Sequence, residues 1–414
     1  MKANVLKIKD FRNLEQQEIR FGSGLNVICG ANGAGKTNIL EALHLCSIGR
    51  SPRTRKDSET IKLGKRSAEI RLDYTRGGVE RSVGVDIHAT KGKLVLLDGV
   101  PSPKVSDLVG NFASVYFSPD ELNIVRGGPQ YRRRFMDIIN CQIGSGYMNN
   151  LRNMQHALKQ RNAILRSIKN ANEYDPALIP WDRQISAYSV RVMLRRANFI
   201  RSLDKFSSVA MRILTDNKET LHITYRTFFD RLTEINVNFF DKVYNEKVRA
   251  SYARDIATRT TNIGAHLDDF EIKLGYITQT EEGGDRSTEK YDWINLRTSG
   301  SLGQQRTATL ALKIAEMFLY KKFYGEKPVL FLDDVLSELD ENRRRQLMEY
   351  CGTFDTIITC TEWEYPAVPD KLFRVENGRV EELPIDPELK QRFNAEIASK
   401  AEELERAFSD AEVE

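Results

Sequence analysis

The chain has 414 residues, of which 41% are hydrophobic and 29% charged, a composition that supports packed cores and excludes wholesale disorder. At about 150 residues per domain, this length suggests two to three domains. The net charge of +4 conceals an asymmetry: Arg126 to Arg212 holds sixteen Lys and Arg against five Asp and Glu, whereas Val380 to Glu414 holds four against eleven. A basic middle points to a polyanion, nucleic acid first, or else to solvated helix faces; charge alone leaves both open.

The longest uncharged stretches fall far short of the roughly 20 apolar residues that span a membrane. Met1 to Asp10 alternates lysines with apolar residues and lacks a signal-peptide core. A cytoplasmic protein with no membrane partner is expected. Cys29, Cys46, Cys141, Cys351 and Cys360 form no C-x-x-C pair and are expected as reduced, mostly buried thiols.

In chain order, the first 115 residues read as β-rich with one early helix. Val5, Leu6 and Ile8 signal a strand. Ile19–Phe21 and Leu25–Cys29 follow, separated by Gly22-Ser23-Gly24, which reads as a hairpin-like turn. Asn38 to Ser47 reads as helical. Residues 68–74, 81–87 and 93–97 alternate like antiparallel strands, with Gly77-Gly78 and Asp98-Gly99 at turns. From about 128 to 258 the period is helical. Ile185, Val192, Phe199, Phe206 and Ile213 recur every seven residues, and Leu151, Met154, Leu158, Leu165 and Ile168 form a second stripe. These seams suit a packed bundle or a short arm. Strands are expected again at Asp269–Tyr276 and Asp292–Leu296, a helix at Gly303–Tyr320, and buried parallel strands at Val329–Leu332 and Thr356–Cys360. An amphipathic helix carrying Leu389, Phe393, Ile397, Leu404 and Phe408 is expected in the acidic tail. The expected organisation is one α/β domain built from residues 1–125 and 261–380, an inserted helical domain at 126–260 and a tail at 381–414.

Gly30-Ala31-Asn32-Gly33-Ala34-Gly35-Lys36-Thr37 satisfies G-x-x-x-x-G-K-[ST] at every fixed position. Glycines let the backbone curl so that its N–H groups point at phosphate oxygens, and the following helix adds its positive end. In this motif Lys36 reaches the β- and γ-phosphates of ATP and Thr37 ligates Mg²⁺. Val329 to Leu332 leads into Asp333-Asp334; Asp333 is expected to hold Mg²⁺ and Asp334 to orient the attacking water. Ser301-Leu302-Gly303-Gln304-Gln305-Arg306 enters a helix and, taken alone, reads equally as a capped helix start or as a second anion site. Two chains related by a two-fold axis would let each such segment, with Ser337-Glu338-Leu339-Asp340 at the same seam, face the other's phosphate loop.

The order of phosphate loop, Ser-x-Gly-Gln, paired acids and Ser-x-x-Asp resembles the ABC-type ATPase superfamily. Within it the chain resembles the RecF family of bacterial recombinational repair proteins. The stretches that carry the likeness are Gly30 to Ala42, Gly49-Arg50-Ser51-Pro52-Arg53-Thr54, Phe117 to Leu122, Gly128-Pro129 with Arg132-Arg133-Arg134-Phe135 and Asp137, Ser301 to Thr307, and Leu332 to Asp340. The resemblance implies an ABC-type head with a helical arm, a homodimer formed on ATP, slow ATP hydrolysis, and DNA binding at single-stranded gaps or junctions. RecO and RecR would be partners there in loading RecA. It places Asn38, Arg50, Ser51 and Arg53 near the nucleotide. Arg132, Arg133 and Arg134, with Arg161, Arg195 and Arg196 behind them, are the DNA-contact candidates. Where the family shows Gly-Pro-His-Arg-Asp-Asp, this chain has Gly264-Ala265-His266-Leu267-Asp268-Asp269, so a charge contact from the missing Arg is in doubt.

Rival readings are weaker. A transporter ATPase would carry a switch His where this chain has Thr359-Cys360-Thr361, and an SMC-type head would need a longer insertion for its coiled coil. A nuclease-coupled ATPase would need an acidic metal cluster, and the sequence offers none beyond the paired acids.

Overall fold

The structure is a computed structural model that describes residues 1–168, 173–229, 237–279, 290–339, 341–363, 368–385 and 406–410. In chain order, the N-terminal part contributes β1 (Lys2–Phe11), β2 (Leu14–Arg20), β3 (Leu25–Cys29), α1 (Lys36–Ile48), β4 (Ser67–Arg76), β5 (Val79–His88), β6 (Gly92–Leu97), β7 (Val100–Ser102) and β8 (Ser114–Phe117). The middle contributes α2 (Asn123–Arg126), α3 (Pro129–Ile143), α4 (Ser145–Ser167), α5 (Ile179–Leu214), β9 (Glu219–Arg226), α6 (Val237–Ala250), α7 (Tyr252–Thr258), β10 (Asp269–Gln279), β11 (Lys290–Asn295) and α8 (Leu296–Ser299). The C-terminal part contributes α9 (Leu302–Tyr324), β12 (Val329–Asp333), α10 (Glu341–Cys351), β13 (Thr356–Cys360), β14 (Lys371–Glu376) and β15 (Arg379–Leu383).

Contacts divide the chain into two compact units. The first comprises Met1–Leu122, Phe206–Thr220 and Leu302–Glu414 and holds two six-stranded sheets. One sheet is antiparallel, in the order β2-β1-β4-β5-β6-β7. The other runs β15-β14-β3-β13-β12-β8, parallel except at its β15 edge. Helix α1 contacts β1, β4 and β5 of the first sheet and β8, β12 and β13 of the second. It is enclosed on most sides, and Ile39, Leu40, Ala42, Leu43, Leu45 and Cys46 are all fully buried. It ends at Gly49, whose left-handed φ of 70° closes the helix with a bond to Leu45 O.

The turn at Gly22-Ser23-Gly24 does not make a hairpin. It passes the chain from β2 in the antiparallel sheet to β3 in the parallel one. The carboxylates of Asp355 and Asp370 accept the N–H groups of Gly24 and Leu25, which starts β3 on a new sheet rather than beside β2.

The second unit comprises Asn123–Lys205 and Leu221–Ser301. Tyr147, Met154, Leu158, Ile185, Val192, Phe240 and Tyr244 build its helical core, so both expected stripes contribute to packing. Residues 128–258 are not wholly helical, however. The segment Glu219–Arg226 is a strand, in which Leu221 and Ile223 are buried and His222 is exposed, the period-two pattern of a half-buried strand. It forms a three-stranded sheet with β10 and β11. By contact, residues 261–301 therefore group with the insertion rather than with the lobe expected from 261 to 380. The expected tail helix lies outside the described residues, except that 406–410 are helical. There Phe408 is buried, its ring stacked on Phe318 with centroids 3.7 Å apart.

Candidate functional site

The loop between β3 and α1 has positive φ at Gly30 (153°), Gly33 (80°) and Gly35 (122°). A Cβ at Gly30 would sit 2.3 Å from the carbonyl oxygen of Val375, and one at Gly35 would meet the Asn13 side chain at 2.8 Å. Backbone and space both require glycine there. Asn13 clamps the loop by donating to Ala34 O at 2.8 Å and accepting from Asn38 Nδ2 at 2.8 Å. The Lys36 ammonium lies inside the curl, donating to Gly30 O (2.6 Å) and Ala31 O (3.1 Å). A cation held at the centre of a ring of backbone amides is the arrangement that receives phosphate.

Strand order sets the rest of the site. Strand β13 lies between β3 and β12, so the end of β12 comes close to the start of α1. Thr37 Oγ1 donates to Asp333 Oδ1 at 2.8 Å. Thr359 on β13 donates to the same oxygen at 2.9 Å, and Tyr116 on β8 donates to Asp333 Oδ2 at 2.6 Å. Burial and the adjacent Asp333 carboxylate push the Tyr116 phenol well above its ordinary range, so it remains a donor. Asp334 follows with φ of 53°, its N–H held by Thr359 Oγ1 at 3.0 Å. A hydroxyl and a carboxylate on a buried shelf form the hard oxygen donor set that suits Mg²⁺ shared with phosphate oxygens. Among the described residues, no cluster of three or more His, Cys, Asp or Glu could hold a metal alone.

Glu41 on α1 is fully buried and takes a bidentate pair from Arg12 (Nε 3.0 Å, Nη2 2.6 Å) and a hydrogen bond from Ser51 Oγ at 2.5 Å. Arg53 lies 3.7 Å from the same carboxylate and donates to Asn38 at 3.0 Å. Ser51 and Arg53 are thereby tied to the helix that follows the phosphate loop, whereas Arg50 is exposed. A cleft of about 840 Å³ opens along Gly30 to Ala34, Trp363, Arg374 and Val375. It does not include Lys36, Thr37 or Asp333, so it flanks the loop rather than the oxygen donors.

Ser301 is exposed immediately before α9. Gly303 and Gln304 form the first turn of that helix, and the Gln304 amide donates to Glu219 at 2.7 Å. Ser337 Oγ bonds Asp334 O at 2.8 Å, and Asp340 lies outside the described residues.

Three of the basic candidates are corrected by the second unit. Arg161 is fully buried, donating to Asp182 (2.6 Å), Asp255 (2.7 Å) and Thr261 (2.9 Å). Arg196 is buried against Asp137 (2.8 Å), Asp268 (3.4 Å) and Ala265 O (2.6 Å). Arg132 is buried and pairs with both oxygens of Asp269. A buried guanidinium with its carboxylate in place cannot reach a polyanion, so these three hold the fold. The Asp268-Asp269 pair at the altered family motif is what receives Arg132 and Arg196, while Leu267 is exposed and His266 is half-buried with its Nε2 2.9 Å from Thr261 O. Arg134 is exposed, and Arg133 and Arg195 are half-buried; Arg133 donates to Asp268 O.

Sequence reasoning did not single out Tyr116, Arg12 or Asn13. It met Thr359 only within an expected buried strand and in the place of a switch His. Glu41 had a signal, as a lone acid inside the apolar run Ile39 to Leu45.

A phosphate loop and an acid-tipped strand on one parallel sheet, with an antiparallel sheet across the loop's helix, define an ABC-type ATPase fold. A family model described as an AAA domain matches residues 6–175. DNA replication and repair protein RecF of Lachnoclostridium phytofermentans is 36% identical over 91% of this chain and 98% of its own length. That of Acetivibrio thermocellus is 37% identical over 90% and 97%. The chain belongs to the RecF family of DNA replication and repair proteins. A solved RecF–ATPrS structure, described as the recombination mediator protein of the RecFOR pathway, superposes with a TM-score of 0.83 at 28% identity, covering 92% of this chain and 98% of that one. An Smc head bound to the C-terminal winged-helix domain of ScpA has a TM-score of 0.54 at 14% identity over 95% of this chain and 100% of its own, a likeness of fold alone. Among the described residues, no helix is long and apolar enough to cross a membrane.

Proposed function

We propose that the protein is an ATP-gated DNA clamp that acts in the cytoplasm at single-stranded gaps or junctions. Two copies close on ATP, and slow hydrolysis releases them. The observation that carries this reading is the bond from Thr37 to Asp333, which joins the two halves of a nucleotide site on one shelf. Lys36 turns from its two carbonyls to the β- and γ-phosphates. Thr37 and Asp333 hold Mg²⁺, which neutralises phosphate charge when bound. Asp334, with its backbone pinned by Thr359, orients the attacking water. Ser51 and Arg53, fixed through Glu41, sit toward the ribose and base, with Arg50 beside them.

The exposed Ser301 and the helix start at Gly303 and Gln304 face the phosphate loop of the second copy, completing each site in trans. Exposed Arg134, with Arg133 and Arg195, supplies phosphate contacts to DNA. RecO and RecR are the partners through which RecA is loaded. That role is supported by family membership and by the RecF structures of the RecFOR pathway.

The test compares duplex, single-stranded and gapped-duplex DNA binding with and without ATP and Mg²⁺, while following oligomeric state. ATP-dependent, dimer-linked preference for the gapped duplex supports the proposal. Binding indifferent to ATP rejects it.

A further inference from the structure

Cys29 ends β3 and Cys360 ends β13, and the two are in-register neighbours across the parallel ladder. Their sulfurs lie 3.4 Å apart. Neighbouring strands run roughly 4.8 Å apart, within the 4.4–6.8 Å Cα spacing that a disulfide spans. Register also places both side chains on one face. Cys29 is half-buried and lines the cleft beside the phosphate loop, whereas Cys360 is buried behind it.

We propose that Cys29 and Cys360 form an oxidisable dithiol, a modification site whose disulfide locks the root of the phosphate loop. The contact with Cys360, with Lys36 and Arg374 nearby, holds the Cys29 thiol below its usual range against the opposing effect of burial. Partial exposure and positive surroundings mark Cys29 as the attacking sulfur. The oxidant is a peroxide. The Cys29 sulfur attacks one peroxide oxygen, the O–O bond breaks, and the departing hydroxide leaves as water with the thiol proton. The Cys360 sulfur then attacks the resulting sulfenic acid at sulfur. The S–O bond breaks, a second water leaves and the S–S bond forms. Two thiols lose two electrons and one peroxide becomes two waters. Cys46 and Cys351 are buried and burial raises both thiols, that of Cys46 to about 12; the Cys29 contact and burial raise Cys360 too, so it serves only as the resolving thiol, in contact with Cys29.

The lock acts on both halves of the site. Gly30 follows Cys29 directly, its N–H bonded to Thr361 O at 3.1 Å and with no room for a Cβ before Val375 O. Thr359 precedes Cys360 and holds Asp333 and the backbone of Asp334. A disulfide of roughly 2.05 Å ties the two strand ends to each other, so that the residues beside them, Gly30 and Thr359, can no longer shift independently when nucleotide enters. The effect on nucleotide rests on the function proposed above; the cross-link does not.

The full-length protein is treated with hydrogen peroxide, its remaining thiols are alkylated, and its peptides are mapped by mass spectrometry. The expected product is a Cys29–Cys360 linked peptide that dithiothreitol reverses and that Cys360→Ser abolishes. The same samples are titrated with a fluorescent ATP analogue. Oxidised protein is expected to bind at least about tenfold more weakly, with recovery on reduction and no such loss in oxidised Cys360→Ser. Both thiols remaining alkylatable after peroxide, or a cross-link that leaves affinity unchanged, would overturn the proposal. A reduced protein that ignores ATP but still forms the cross-link would reject the proposed function and, with it, the nucleotide effect of the lock, leaving the dithiol assignment intact.

Discussion

The hydroxyl of Thr37 lies 2.8 Å from Oδ1 of Asp333, although 296 residues separate them in sequence. Strand β13 makes this contact possible, because Thr359 bonds the same carboxylate oxygen and also fixes the next backbone N–H. A sheet that interleaves both ends of the chain is thus the device that assembles the site. Thr359→Val removes both bonds at nearly constant volume. ATP hydrolysis is expected to fall at least about tenfold with the fold retained, as checked by steady-state turnover beside circular dichroism. Undiminished turnover would remove Thr359 from the site.

Under the proposed function, Asp334 is expected to be separable from nucleotide binding. In Asp334→Asn, ATP affinity should stay within a few-fold of wild type while single-turnover hydrolysis slows by about 10²-fold or more. The ATP-bound dimer should correspondingly persist. Unchanged hydrolysis in a quench-flow measurement would assign water positioning elsewhere.

Glu41 anchors Arg12, Ser51 and Arg53 while fully buried. Glu41→Ala leaves Arg12 without its carboxylate, and a loss of about 3 kcal/mol in urea unfolding is expected. Because the loop that carries Arg53 loses its tether, nucleotide affinity should drop in the same variant.

The arginines divide into two experimental classes. Arg161→Met breaks a fully buried pair with Asp182 and Asp255 and should cost about 3–5 kcal/mol of stability. Arg134→Ala should leave stability unchanged, weaken DNA binding across all sequences and reduce the salt slope by about one unit. Equal effects of the two on stability would contradict this division.

Asp268 gives a pH signature. Burial raises its carboxyl to about 6 from an ordinary 3.8, although Arg196 opposes the shift. A folded-state pKa above the unfolded value means that the folded form binds the extra proton. The stabilisation is therefore present below about pH 3.8 and lost as pH rises through about 6. Between pH 4 and 7, wild type should lose melting temperature relative to Asp268→Asn. A difference that does not vary with pH would show that Asp268 is charged throughout.

These residues also mark how far the sequence could be read. The phosphate loop and Asp333-Asp334 were legible because their chemistry needs fixed residue types at fixed local spacing. Most strands were legible because alternation is local too. Glu219–Arg226 was absorbed into the helical pattern, since eight residues between longer helices carry little periodic signal. Burial of Arg161 and Arg196 was illegible for a different reason: their carboxylates arrive from α5, α7, α3 and the loop before β10, and no local pattern announces a partner up to 94 residues away. A run of basic residues thus looked like a surface. Tyr116 and Asn13 were hidden in the same way, because strand order alone brings them to the loop.

The central claim is that ATP joins two copies, each completing the other's site. Light scattering with ATP and Mg²⁺ tests it most directly when wild type is run beside Ser301→Arg. Wild type should double in mass on ATP, whereas Ser301→Arg should bind ATP and remain a monomer. An ATP-driven dimer in Ser301→Arg, or full-rate hydrolysis by a wild-type species that stays monomeric, would contradict the shared site.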